Sequence, residues 1–475
     1  MKRVAIVGGG ISGLAAAYAL EKIRRDGAPV EYSLYESSPR LGGVLVTEQA
    51  EGCLLEAGPD SFLTEKPWAS DLCREIGLQD QLIGSNDADR KTYILKKGKL
   101  IEIPDGLMFM VPTKILPAVL SPLFSIRTKL RMAQEWFHPP HKANGDESVA
   151  SMVERHYGPE MVDCLADPLL SGVYGGEASQ LSVRAVLARF ADMEAKYGSL
   201  GRAMLASRKK MASMSEGPKP PLFTSLKNGM QQMVDSLLAK IPSSVLRTQA
   251  PVQSIQQQDG GWTVSAGYES DQFDGVILAT PAKNSAALLQ RSNVQLGSEL
   301  AEIEYTSSIT VNLVYGKSVR DSLPPGFGFL VPRSEQRRML AATFVHNKFP
   351  HRAPDDRAIL RCFVGGARNE GVLGLSDDQV LQIVQAELRQ ILNLDADPLV
   401  ARVHRWKGAM AQYGVGHLER LQRIESLLEQ LPGLALAGNG YRGIGVPDCI
   451  RSGSDAASKV LSALGLTENK VPATA

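Results

Sequence analysis

The chain has 475 residues, with 52 basic and 51 acidic side chains, a net charge of +1 and 44% hydrophobic residues. That length exceeds one ordinary domain and predicts two or three. The balanced charge gives no electrostatic basis for nucleic acid or an acidic membrane surface as the main partner, and the composition is that of a globular protein, neither disordered nor fibrous.

Residues 4–13, Val-Ala-Ile-Val-Gly-Gly-Gly-Ile-Ser-Gly, run an apolar strand into G-x-G-x-x-G at Gly8, Gly10 and Gly13. A helical run follows, with Leu14, Ala15, Ala16, Ala17, Leu20 and Ile23 on its apolar side. A second apolar run, Val30 to Tyr35, ends at Glu36. Together these form a βαβ unit for a dinucleotide. Gly8 allows the tight turn, Gly10 lets backbone N–H groups approach a pyrophosphate, and Gly13 lets the helix pack on the strand. Ile11 and Ser12 open the helix, whose N-terminus offers partial positive charge to phosphates. Glu36, with Ser37 beside it, stands where a ribose would be hydrogen-bonded. The continuation, Glu36-Ser-Ser-Pro-Arg40-Leu-Gly42-Gly43, reads E-x-x-x-R-x-G-G. An arginine and a second glycine pair near the pyrophosphate suit a long ligand lying extended. The pattern resembles the flavin-binding signature of the amine oxidase and protoporphyrinogen oxidase superfamily, and this resemblance implies FAD rather than NAD.

Beyond Gly43 come Glu56-Ala-Gly58-Pro59-Asp60-Ser-Phe62 and a helical stretch from Trp68 to Ile76, stopped by Gly77. Between Pro104 and Phe137, apolar residues such as Leu107, Met110, Ile115, Leu120, Phe124 and Ile126 are punctuated by Pro112, Pro117 and Pro122. Proline breaks helices, so short helices are expected there. They read as a subdomain burying its apolar faces, with an exposed patch for a membrane or a greasy substrate as a compatible second reading. Residues His141 to Glu147 and Arg208 to Pro221 read as linkers. Short strands are expected between Val245 and Asp274, then a buried strand from Gly275 to Thr280. An antiparallel sheet is expected from about Leu300 to Phe363, and an amphipathic helix from Gln379 to Leu394. The tail from Thr467 reads as frayed.

The five cysteines are scattered without a C-x-x-C pair, as expected of reduced core thiols, and His138 and His141 lack companions for a metal site. No secretory signal and no apolar run of about 18 residues is evident, which predicts neither export nor a membrane span.

Near the C-terminus the strand Leu434–Gly438 precedes Gly-Asn-Gly-Tyr-Arg-Gly-Ile-Gly445-Val446-Pro-Asp-Cys-Ile. Pro447 sits where a helix would begin. Backbone N–H groups of Gly445 and Val446 at such a terminus would stabilise negative charge on a reduced flavin.

Gly-Pro-Asp-Ser-Phe (58–62), Pro-Leu-Leu-Ser-Gly-Val-Tyr-Gly-Gly (168–176), Phe-Thr-Ser-Leu-Lys-Asn-Gly (223–229) and Gly-Ile-Gly-Val-Pro-Asp-Cys-Ile (443–450) resemble the oxygen-dependent protoporphyrinogen oxidase family, including its soluble bacterial coproporphyrinogen III oxidases. The resemblance implies an α/β fold with a discontinuous Rossmann-like FAD-binding domain (1–43, 222–285, 402–465). It implies an inserted mixed-sheet substrate domain (44–90, 286–401), a helical domain (91–208) and a linker (209–221). It implies three two-electron oxidations of a porphyrinogen, with O2 as acceptor and H2O2 as product, in haem biosynthesis. Ferrochelatase would act downstream. Location would be cytoplasmic, with peripheral membrane contact and either a monomer or a homodimer left open. Val252 would lie near the adenine, and Gly58, Pro59, Asp60, Thr280 and Gly438 would help hold FAD. Lys66 would meet a propionate, and Gly172, Val173, Leu330 and Phe344 would wall the cavity. No metal and no catalytic side chain are implied. Another flavin amine oxidase and a flavin-free binding protein like the GDP-dissociation inhibitors remain the alternatives.

Overall fold

A computed structural model describes residues 1–141, 145–212, 220–258, 260–290 and 292–466. The first strand, β1 (Lys2–Val7), lies at the centre of a five-stranded parallel sheet. Its order is β3 (Leu246–Arg247), β2 (Val30–Tyr35), β1, β4 (Gly275–Leu278), β5 (Leu434–Leu436). Val4 to Val7 are buried on both faces, which is why this run is continuously apolar and not alternating.

Helices α1 (Ile11–Arg25) and α3 (Val446–Ala463) pack together on one face. A Cβ on Gly453 would stand 2.1 Å from the Ser12 carbonyl oxygen, so the approach of the two helices requires glycine there. A shorter helix, α2 (Pro67–Glu75), leans on α3. The other face of the sheet packs on a three-stranded antiparallel meander, Val252–Gln258, Gly261–Ala266 and Glu269–Phe273, and on helices from 282–301 and 417–428.

A second, seven-stranded sheet is mixed. Its order is Val400–Ala411, Tyr305–Gly316, Arg357–Gly365, Met339–Phe344, Gly328–Leu330, Thr92–Lys96, Lys99–Glu102. All its pairs are antiparallel except Gly328–Leu330 with Thr92–Lys96. Helix Asp377–Leu392 covers one face, entered through a capping box at Ser376 and Gln379.

Three sequence-based boundaries move. Thr92–Glu102 belongs to the edge of the mixed sheet, not to the helical segment expected from residue 91. Val400–Ala411 is the opposite edge of that sheet, not part of the parallel-sheet body expected from 402. Both errors have one cause: the pairings that join these segments to the sheet, Thr92–Lys96 with Gly328–Leu330 and Val400–Ala411 with Tyr305–Gly316, are distant in the chain, so periodicity shows a strand but not its sheet. Helix Leu200–Ala212 also runs into the linker expected at 209–221. Residues 213–219 and the tail from 467 lie outside the described residues, as do 142–144 of the other linker.

Within the segment expected to be helical, Leu107–Met108 and Val111–Pro112 form a small antiparallel hairpin, and the short helices run from Ile115 to Ala212. Met110, Val111, Leu123 and Phe124 join its core, while Ile115, Leu116, Leu120, Ile126 and Phe137 stay exposed. Its interior holds a charged knot. The buried His156 ring contacts Glu135 at 3.2 Å and Glu194 at 2.9 Å, and Glu194 also pairs with Arg155. Among the described residues, no helix is long and apolar enough to cross a membrane.

Candidate dinucleotide and substrate site

Gly8 follows β1 with φ of +109°, and a Cβ there would meet the Ala279 carbonyl oxygen at 2.6 Å. Only glycine fits such a turn. Gly10 caps α1, and neither a side-chain cap nor an acidic residue occupies the first turn. The first N–H groups of α1, in Ile11, Ser12 and Gly13, are therefore free to face an anion. A Cβ on Gly10 would meet nothing within 4 Å, so space opens above the turn. The second glycine pair bounds it. The Gly42 N–H donates to Gly9 at 2.8 Å, Gly10 bridges Gly42, and a Cβ on Gly43 would lie 3.1 Å from the Gly10 Cα.

Glu36 is fixed beside this turn. Its carboxylate accepts the Gly9 N–H at 2.7 Å, the Ser38 N–H at 2.8 Å and the Ser37 hydroxyl at 3.3 Å. The chain entering Val252 runs alongside, with the Ala250 N–H donating to the Glu36 carbonyl at 2.9 Å. Thr280, just past β4, pairs its hydroxyl with Ser285 at 2.8 Å. Arg40 departs from expectation. Its guanidinium donates to the carbonyls of Leu41, Gly43 and Leu45, so it clasps its own loop and shapes the glycine pair instead of reaching outward.

The second helix terminus is built differently. Gly438 leaves β5 with φ of +126°, and Gly445 caps α3 without a side-chain hydrogen bond, followed by Val446 and Pro447. The first turn contains an acid, Asp448, which is almost wholly buried. Lys66, the residue before α2, places its ammonium 2.6 Å from the Asp448 carboxylate. The charge expected to face a propionate is thus already matched inside the protein. Tyr413 fixes the loop between: its hydroxyl accepts the Gly443 N–H at 2.8 Å and donates to the Asn439 carbonyl at 2.7 Å, while its ring stacks on His417 with centroids 4.2 Å apart. Sequence reading missed both Asp448 and Tyr413 as functional. The acid in the first turn behind Pro447 was the available signal; for Tyr413 none existed.

The loop 56–60 joins the two sheets. Three successive carbonyls accept side-chain donors from the mixed sheet: Glu56 from Asn312 at 3.0 Å, Ala57 from Trp406 at 2.9 Å, and Gly58 from Arg361. A Cβ on Gly58 would lie 1.8 Å from the Val44 carbonyl oxygen, and Pro59 follows this close approach. Beneath it, Glu56 pairs with Arg352 at 3.0 Å and Asp60 with Lys348 at 3.0 Å and Arg361 at 3.6 Å. Burial would raise the Asp60 carboxyl, but Lys348 and Arg361 hold it well below the usual carboxylate range. Asp60, expected to help hold the cofactor through its place in the motif, uses its carboxylate internally.

Of the substrate-wall candidates, Gly172 and Leu330 meet: a Cβ on Gly172 would lie 3.7 Å from the Leu330 Cδ2. Val173 is 55% exposed on the same helix, Asp167–Tyr174. Phe344 is a correction. It has no exposed surface and packs against Phe329 inside the mixed sheet, because alternation along Met339–Phe344 turns it toward the sheet core. No cluster of three metal-ligating side chains exists among the described residues.

With this geometry in hand, the comparisons are decisive. The family model for flavin-containing amine oxidoreductases matches residues 11–461. The chain belongs to that family. This flavin-dependent oxidoreductase is 34% identical to the coproporphyrinogen III oxidase of Bacillus subtilis, an alignment covering 98% of each chain. It is 30% identical to protoporphyrinogen oxidase 1 of the Arabidopsis thaliana chloroplast over 96% of its own length and 87% of the relative's. Cyclohexylamine oxidase from Brevibacterium oxydans shares the fold, with a TM-score of 0.69 at 17% identity and coverage of 98% and 99%. The residues present fit a flavin nucleotide: two glycine-capped helix ends without side-chain caps, an open space above Gly10 and a fixed acid at Glu36.

Proposed function

We propose that this protein is an FAD-dependent porphyrinogen oxidase, with coproporphyrinogen III as substrate, coproporphyrin III as product and O2 as the electron acceptor. The observation that carries the reading is the end-to-end alignment with the Bacillus subtilis coproporphyrinogen III oxidase, which takes in both sheets and the helical segment between them. The amine oxidase, by contrast, is similar in fold alone.

In this reading the free N–H groups at the start of α1 bind the pyrophosphate, Glu36 binds the ribose, and the Gly438–Val446 loop faces the flavin ring. FAD supplies a hydride acceptor that O2 can reoxidise, removing two electrons per cycle with release of H2O2; three cycles convert porphyrinogen to porphyrin. The chain's own task is placement. The N-terminus of α3 stabilises negative charge. Gly172, Val173 and Leu330 give a flat apolar wall, with Gly172 admitting a planar ring where a side chain would intrude. The 56–60 loop, tied to the mixed sheet by three side-chain donors, holds the two halves of the cavity in register. No acid or base is needed at the reacting carbon for hydride loss.

The test is to follow porphyrin fluorescence in air from coproporphyrinogen III and protoporphyrinogen IX side by side. A higher kcat/KM for the four-propionate substrate supports the reading. Preference for the two-propionate substrate makes the protein a protoporphyrinogen oxidase. Activity on neither, with peroxide released from amines, returns it to the amine oxidases.

A further inference from the structure

We propose that the Lys66–Asp448 ion pair sets the charge at the N-terminus of α3, and that Lys66 is a positioning residue that keeps a buried carboxylate from opposing the flavin. The proposal rests on the flavin reading above.

An acid in the first turn of a helix stabilises that helix, because it complements the positive end of the dipole. The same acid competes with any anionic ligand for that end. Asp448 stands in this position, its side chain 4% exposed, pressed against the loop that leads into α3. A Cβ on Gly443 would lie 2.3 Å from its Cγ, and one on Gly445 would lie 3.1 Å from its Oδ2. Left alone, this carboxylate would cancel the positive field that the glycine-capped terminus offers. Lys66 prevents that. It arrives from another helix, held by Pro67 at the start of α2, and places Nζ 2.6 Å from Oδ2. Arg451 is the other cation nearby, 3.8 Å from Oδ1, but its guanidinium lies over the Trp68 ring at 4.2 Å. The pair leaves the helix end effectively positive while Asp448 still holds the loop in shape. Lys66 thus reaches the flavin through Asp448.

Sulfite tests this directly on the flavin-loaded protein. Its sulfur lone pair forms a bond to flavin N5, and the negative charge that results would rest on the N1–C2=O edge, which the flavin reading sets beside α3. The visible flavin band bleaches as the adduct forms. Lys66→Met should weaken sulfite binding by about tenfold, because the nearly buried Asp448 carboxylate then stands without its partly exposed partner. Lys66→Met with Asp448→Asn should recover to within about threefold of the unsubstituted protein, since both charges are then gone. Lys66→Arg, which keeps the charge, should stay close to the starting value, and it carries the test if the methionine variant fails to fold: weakening by Lys66→Arg to the extent of charge removal would overturn the proposal. A yellow Lys66→Met protein with unchanged sulfite affinity, or a double variant no better than the single, would also overturn it. If Lys66 instead anchored a substrate carboxylate, KM would rise, sulfite affinity would not move, and Asp448→Asn would rescue nothing. A colourless starting protein would defeat the flavin reading first, a result distinct from all of these.

Discussion

The helices α1 and α3 begin close together, since the first turn of α1 lies against the opening turns of α3 through Ser12 and Gly453. Both are capped by glycine and neither has a side-chain cap. They differ in charge: α1 has no acid in its first turn, while α3 has Asp448 matched by Lys66. The difference follows the ligand each would serve. A pyrophosphate carries fixed negative charge, so a bare helix end is enough. A flavin ring gains negative charge only when reduced, and an end carrying a compensated acid gives a field that can be adjusted by one side chain.

Gly10→Val should break the α1 half most severely. The first added carbon meets nothing within 4 Å, so folding is kept, but the branched side chain fills the space a phosphate needs. The purified variant should retain less than about a tenth of the flavin, judged by visible absorbance, with an unaltered far-ultraviolet spectrum; a fully loaded variant would displace the site. Gly443→Ala attacks the α3 half. It pairs a φ of +113° with a contact on Asp448, a strain of about 1–3 kcal/mol. Flavin affinity of the reconstituted apoprotein should fall about tenfold. Glu36→Gln should cost less, about 1 kcal/mol, because the amide oxygen can still accept the Gly9 N–H; equilibrium dialysis with FAD would measure it.

The smallest effect is a control remote from both helix ends. Burial alone would lower the His156 pKa, but Glu135 and Glu194 outweigh it and hold it above the ordinary value. The stability it adds is therefore complete below an unfolded-state pKa of about 6.5 and is lost as pH rises through the folded value. Glu135 and Glu194 are held below theirs, so their share appears above the usual carboxylate range and is lost in acid. Tm should fall slightly from pH 6 to pH 9, and His156→Gln should flatten that slope. Flavin affinity should not follow it.

The glycine-rich half of the candidate site was legible because its geometry is local. Gly8, Gly10, Gly13 and Glu36 lie within one βαβ unit, and each is fixed by close backbone packing or a short side-chain reach. The parts of the site assembled from distant segments resisted for the opposite reason. Lys66 and Asp448 are 382 positions apart, and Asp60 and Lys348 are 288 apart, so no spacing rule could pair them. Asp60 illustrates the limit: its place in Gly58-Pro59-Asp60 suggested a cofactor role, yet the motif needs the acid to tie the loop to the mixed sheet. Phe344 was set in the cavity wall by the family resemblance, which does not show which face of its strand meets the cavity; here it faces the core of the mixed sheet.

The order of strands in the parallel sheet has a consequence for biosynthesis. The second residue of the chain begins the central strand, but the neighbour on one side is residues 275–278 and the last strand is residues 434–436. Such pairings close very long loops and are slow to form. The N-terminal strand can pair early with Val30–Tyr35 on one edge, but its other, apolar edge must wait for residues 275–278. The helix proposed to face the flavin, α3, follows later still. A chain cut short before residue 434 should emerge colourless and dependent on chaperones, since it lacks both an edge of the parallel sheet and α3, so cofactor loading reports that these two segments have joined the fold.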